Sequence, residues 1–115
     1  MKKSILKDKS YQFAIRIVRL SEYLQQKKKE YVLSKQILES GTAIGALIRE
    51  AEFGQSRADF THKMSIALKE ANETAYWLCL LKDTEHIDKT MLEGMQSDCQ
   101  ELIAMLVSTV KTSKE

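Results

Sequence analysis

Apolar residues recur along this chain at helical spacing in four separate stretches. In the first, Phe13, Ile17, Leu20 and Leu24 fall at i, i+4, i+7 and i+11, with Ala14 and Val18 beside them and Arg16, Arg19 and Glu22 elsewhere. That period puts one apolar stripe on a helix of about residues 9–28. The following "QQKKKE" has nothing to bury and reads as a frayed end or loop. A second stripe, Leu33, Ile37, Gly41, Ile44, Ile48 and Ala51, flanked by Leu38 and Leu47, predicts a helix over about 33–53. Gly54 is expected to close it in the left-handed conformation that often ends helices. Ser56 with Asp59 three residues later forms a capping-box pattern, opening a third helix over about 57–82. Its inward face is Phe60, Met64, Ala67, Leu68, Ala71, Ala75, Leu78 and Leu81. "KDTEHID" interrupts the pattern, and Asp88 caps a fourth helix over about 88–111, carrying Met91, Leu92, Met95, Cys99, Leu102, Ile103, Leu106 and Val110.

Connections of a few residues force each helix antiparallel to the one before it. The predicted fold is therefore a single all-α domain, an antiparallel up-down-up-down four-helix bundle spanning residues 1–115. A hairpin centred near Gln55 would set Gly41, Ala43 and Gly45 against Ala67, Ala71 and Ala75. Small residues on both sides let backbones approach at the short end of the 8–10 Å interaxial range. Each glycine costs roughly 1 kcal/mol of helix propensity relative to alanine, a cost that tight packing or a neighbouring chain would offset.

Composition agrees with long helices, since the 115 residues include no proline and four glycines. No apolar run approaches the ~20 residues needed to span a bilayer, and "MKKSILKDKSYQF" lacks the apolar stretch of a signal peptide. A cytoplasmic location without membrane contact is expected. Cys79 and Cys99 are the only cysteines. On consecutive antiparallel helices they would be offset by roughly 10 Å along the axis, too far for a disulfide, so two reduced, buried thiols are expected.

Charge is uneven. Residues 1–35 carry ten Lys or Arg against three acids, a balance of +7, and the remainder carries eight against thirteen, a balance of −5. Such asymmetry suits a polyanion on one face, head-to-tail self-association between basic and acidic surfaces, or solvated helix faces. Arg16, Arg19, Lys27, Lys28 and Lys29 are the candidate phosphate contacts, with a solvated loop the other reading of the lysine run.

Catalytic chemistry finds little support. "GTAIGALIRE" has neither the strand nor the lysine of a phosphate loop. Asp59/His62 and Asp83/His86 have the i, i+3 spacing of carboxylate-bridged metal sites. They mark opposite ends of one helix, roughly 36 Å apart, and no other histidine exists. No metal, cofactor or enzymatic activity is expected. Glu50, Glu70 and Glu73 resemble an acid cluster, but a carboxylate beside an apolar stripe more often pairs with a lysine or a neighbouring subunit. Trp77 is either a core anchor or, with Glu73, part of an oligomer interface. A lone Trp without adjacent cations is a poor base-stacking platform.

The run "SGTAIGA", "QSRADF" and "ALKEANETAYWL" resembles the bacterial four-helix-bundle family that includes proteins encoded in intervening sequences of 23S ribosomal RNA genes, a family also labelled "S23 ribosomal protein". The similarity is close over the second and third helices and looser in the first and fourth. It implies a homo-oligomer, a ring-like pentamer, with no known catalytic activity. It also implies a relation to the accessory variability proteins of diversity-generating retroelements, basic pentamers that bind RNA or DNA and a reverse transcriptase. Glu39 stands where many members carry arginine and Leu47 where many carry asparagine. The first of these reverses a charge beside the glycine segment. The function expected is that of a non-enzymatic oligomeric scaffold or adaptor, binding RNA or DNA through the basic first helix; the alternative is a module that contacts only proteins.

Overall fold

The computed structural model describes residues 4–115 and contains four α-helices: α1 (Ile5–Gln26), α2 (Val32–Glu52), α3 (Arg57–Asp83) and α4 (Lys89–Lys114). α1 begins four residues earlier than periodicity suggests. The Ser4 hydroxyl accepts from the Lys7 N–H at 3.2 Å, and Leu6 and Ser10 extend the buried stripe toward this end. α4 likewise runs three residues further, with Asp88 capping it by accepting from the Thr90 N–H at 2.8 Å.

The loops use different chemistry at each break. After α1, Lys29 takes a φ of 55°, and the Glu30 carboxylate accepts from the Ser34 N–H at 3.0 Å, satisfying a first-turn donor of α2. After α3, Glu85 takes a φ of 58°. The expectation for Gly54 is corrected, because no glycine among the described residues has a positive φ. α2 ends instead in a tight turn at Phe53, and the Gly54 N–H donates to the Ala51 carbonyl at 3.1 Å. A Cβ at Gly54 would lie 3.1 Å from that same carbonyl oxygen, so glycine is favoured there by close approach. Ser56 accepts from the Asp59 N–H at 3.1 Å, as its pattern predicts. Ser56→Ala should cost about 1 kcal/mol and Ser56→Gly only a few tenths. Urea denaturation would check both.

Each helix packs on its neighbour in sequence, and α1 and α4 close the ring through a smaller contact. The core combines Phe13, Ile17 and Leu24 of α1 with Ile37, Ile44 and Ile48 of α2, Leu78 and Leu81 of α3, and Leu92, Leu102 and Leu106 of α4. These residues are the stripes that periodicity predicts. The edges of the stripes differ. Met91, in the first turn of α4, is half exposed. Leu33, Phe60, Leu68 and Ala75 are only partly buried against the core.

Both cysteines are free. Cys99 is buried and its Sγ donates to the Ala71 carbonyl at 3.3 Å. Burial chiefly, then the nearby Cys79 and Asp98, push its thiol up to about 12. Cys79 is exposed, contrary to expectation, on the rim facing α4, where it accepts from Gln96 Nε2 at 3.4 Å.

Candidate functional site

Gly41 and Gly45 of α2 meet α1, not α3. A Cβ built at Gly41 would lie 2.7–2.9 Å from three side-chain atoms of Ile17. At Gly45 the nearest atoms belong to Ser10, at 3.4 Å. One level further along, the Ser21 hydroxyl donates to the Ser34 carbonyl at 3.2 Å. The α1–α2 seam is thus built from Ser10, Ser21, Ser34 and the two glycines around the bulk of Ile17. The predicted facing of Gly41, Ala43 and Gly45 onto Ala67, Ala71 and Ala75 is therefore corrected for both glycines. The reason is rotational: at 100° per residue, Gly41 and Gly45 sit on the α1 side of the α2 stripe and Ser40 on the α3 side. Ala67 and Ala71 are buried in the core, and Ala71 supplies the carbonyl that receives Cys99. Ala43 and Ala75 are partly exposed.

The α2–α3 contact carries a polar pair. Ser40 and Thr74, both buried, hydrogen-bond through their hydroxyls at 2.9 Å, and Thr74 Oγ1 lies 2.8 Å from the Glu70 carbonyl. Lys63 donates to Glu50 at 3.0 Å across the same hairpin. These two pairs centre the hairpin near residue 57, two residues past the expected centre near Gln55.

The basic residues of α1 divide into two groups. Lys9 pairs with Glu101, Arg16 with Asp98, and Lys7 with Glu52 at 3.2 Å. Acids of α2 and α4 thereby neutralise much of the amino-terminal positive charge. Arg19 has only Glu22 within reach, at 3.9 Å, and both are well exposed. Lys27, Lys28 and Lys29 are exposed at the α1–α2 corner and join no ion pair among the described residues.

On the opposite side, Glu39 of α2 and Glu70 and Glu73 of α3 form one acidic surface. Burial first, then Glu73 and, more weakly, Glu39 raise the Glu70 carboxyl above its ordinary value of 4.5, with Lys69 acting against them. Glu50, bound to Lys63, is not part of this surface. Because the Glu70 charge is disfavoured in the fold, the native state holds its proton to higher pH than the unfolded chain does. Stability therefore falls as pH rises through the shifted value. Glu70→Gln should raise stability at pH 7 by a few tenths of a kcal/mol, the scale of a like-charged helical pair. The gain should vanish below about pH 4.5 in thermal melts across a pH series.

Trp77 is packed partly against the core, and its Nε1–H finds no partner among the described residues. The Tyr76 ring stands edge-on to it at 5.0 Å and is exposed. His62 is exposed, and His86 Nδ1 lies 2.8 Å from Thr84 Oγ1. Among the described residues, no group of three or more His, Cys, Asp or Glu is placed to hold a metal, and no helix is long and apolar enough to cross a membrane.

One feature escapes a search for single stripes. Tyr11, Ile15 and Val18 are exposed at i, i+4 and i+7, a second apolar ridge roughly 150° around α1 from the core stripe at 100° per residue. It is legible in the sequence once the core positions are set aside. Beside it, a groove of about 300 Å³ runs between α1 and α2, lined by Lys7, Tyr11, Ala14, Gly45, Ala46 and Arg49 among others.

Comparison with known proteins places the chain. The family model described as 23S rRNA-intervening sequence protein matches residues 2–108. A crystal structure from Bacteroides thetaiotaomicron, of a protein with unknown function from the S23 ribosomal protein family, superposes with a TM-score of 0.92 at 56% identity, covering 93% of this chain and 99% of that one. No curated protein matches. With its four-helix architecture and a match over nearly its whole length, the chain belongs to the 23S rRNA-intervening sequence protein family.

Proposed function

We propose that this protein is a non-enzymatic helical scaffold that assembles with copies of itself, a closed ring of five being the assembly that the family resemblance implies. The observation that carries this reading is the outer surface of α1. It holds an exposed apolar ridge, while Lys7, Lys9 and Arg16, which would otherwise face a polyanion, are paired with acids of the same chain. Exposed apolar ridges rimmed by polar residues mark protein contacts. Light scattering on the purified protein tests the reading. A mass several times that of the 13.2 kDa chain is expected, and a monomer at all concentrations would refute it.

A second reading, RNA or DNA binding, rests on the Lys27–Lys29 corner, where three adjacent cations join no carboxylate among the described residues. Lys29 holds a φ of 55°, so a variant that preserves the turn is Lys27→Gln, Lys28→Gln, Lys29→Asn, asparagine tolerating that conformation. Gel shifts over a salt series should show binding that weakens as salt rises, with a flatter dependence for the triple variant. An unchanged slope would place the phosphate contacts elsewhere.

A further inference from the structure

We infer that the α1–α2 corner takes unpaired nucleotides, with the Tyr31 ring as the platform on which a base stacks and four lysines around it holding phosphates. This rests on the reading of Lys27, Lys28 and Lys29 as phosphate contacts, and it narrows the ligand from RNA or DNA in general to a single strand. Tyr31 stands at the N-cap of α2, where its side chain makes no capping hydrogen bond. That work falls to the neighbouring Glu30, whose carboxylate accepts from the N–H groups of Leu33 and Ser34. Tyr31 is left 59% exposed, with Val32 beside it at 70%.

The charges around this ring are nearly all of one sign. From residue 23 to residue 38 the cations are Lys27, Lys28, Lys29 and Lys35, all exposed, and the single acid is Glu30, already engaged at the start of α2. Lys29 is two Cα steps from Tyr31, at most about 8 Å at 3.8 Å per step. Lys35 lies one turn along α2, on the same side of the helix as residue 31. Tyr76 makes the contrast, since it is 60% exposed but has Glu73 one turn away. The other connection at this end of the bundle, residues 84–88, carries Glu85 and Asp88 and no lysine. An exposed ring among unopposed cations is the pairing that single-strand sites use, the cations following the backbone while the ring takes the face of a base. A duplex keeps its base faces stacked inside, so it can meet the lysines but not the ring. An anionic bilayer would meet the same lysines, but two apolar side chains on a tight turn fall far short of the face with which an amphipathic helix enters lipid.

Fluorescence anisotropy at low salt tests this with a labelled DNA single strand of about ten nucleotides, within the size of single-strand sites, and with the duplex of the same sequence. Tyr31→Leu keeps an apolar side chain and removes the ring, whereas Tyr31→Phe keeps the ring. The lysine triple variant described above completes the set, and circular dichroism checks that each protein keeps its helices. Tyr31→Leu should weaken single-strand binding roughly 5–100-fold, the worth of one stacked base, and leave duplex binding unchanged. Tyr31→Phe should bind both probes like the wild type. The triple variant should weaken both and flatten both salt dependences. An equal loss for the two probes on Tyr31→Leu, or no loss for the single strand, overturns the stacking site and leaves the phosphate contacts standing. A wild-type protein that binds neither probe overturns the phosphate reading as well, and so does one that binds only phosphatidylserine vesicles.

Discussion

Gly41→Ala is expected to lower the stability of the bundle by up to about 2 kcal/mol, although alanine is the better helix former. The gain in propensity is about 1 kcal/mol. Against it, the new methyl would arrive 2.7–2.9 Å from Cγ1, Cγ2 and Cδ1 of Ile17. Ile17 is fully buried and branched at Cβ, so it has one strongly preferred rotamer and no free end to swing aside. Overpacking at such a site typically costs 1–3 kcal/mol. Gly45→Ala provides the contrast. Its nearest neighbours stand at 3.4 Å, an ordinary contact, and the substitution should raise stability by up to about 1 kcal/mol. Urea unfolding of the two variants should give opposite signs. In an Ile17→Ala background the Gly41→Ala penalty should disappear, since all three obstructing atoms are gone. Stabilisation by both alanines would show that α1 and α2 are not held at this distance.

Thr74→Val is the second substitution with a large expected effect, a loss of about 1–3 kcal/mol. Thr74 has one hydroxyl hydrogen and two neighbours, the Glu70 carbonyl and Ser40. With that hydrogen directed to the carbonyl, Ser40 must donate to Thr74. Valine keeps the volume and removes the acceptor, leaving a buried serine hydroxyl unpaired, the expensive case for a hydrogen bond. Ser40→Ala leaves Thr74 its bond to Glu70 and should cost less. The double variant Ser40→Ala, Thr74→Val should recover most of what Thr74→Val alone loses, because no unpaired group remains. Additive losses in the double-mutant cycle would mean that the two hydroxyls do not depend on each other.

The four helices, their order and most of their core were legible in the sequence because burial repeats at the helical period. Phe13, Ile17, Leu24, Ile37, Ile44, Ile48, Leu78 and Leu106 are fully or almost fully buried, as the stripes require. Caps at Ser56 and Asp88 were legible because their chemistry is local. The buried hydroxyls were not. Ser10, Ser21, Ser34, Ser40 and Thr74 are all buried, yet a polarity pattern counts them as surface. Their polar groups are satisfied by carbonyls one turn away (Ser10, Thr74) or by groups on the facing helix. The latter are the Ser34 carbonyl for Ser21, the Gln25 amide for the Ser34 hydroxyl and the Ser40–Thr74 hydroxyl pair, and no spacing rule reports this second kind of partner. Gly54 misled for a related reason, since close backbone approach and a left-handed φ both select glycine.

The candidate surfaces show the same division. The +7 balance of residues 1–35 was a property of composition, but its meaning was not. Asp98 and Glu101 lie more than eighty residues away in the chain and neutralise Arg16 and Lys9. Folding thus pairs Lys7, Lys9 and Arg16 with distant acids, and leaves Arg19 beside the exposed apolar ridge and Lys27, Lys28 and Lys29 at the α1–α2 corner outside any inter-helix ion pair among the described residues. Sequence by itself determined the all-α class, the four amphipathic faces and the short antiparallel connections, because each follows from residues close together along the chain. Tertiary structure decided that Gly41 and Gly45 serve α1, that Ser40 and Thr74 satisfy each other, and which charges stay outside ion pairs. Those outcomes depend on helix rotation and register, which are set by how all four faces pack at once.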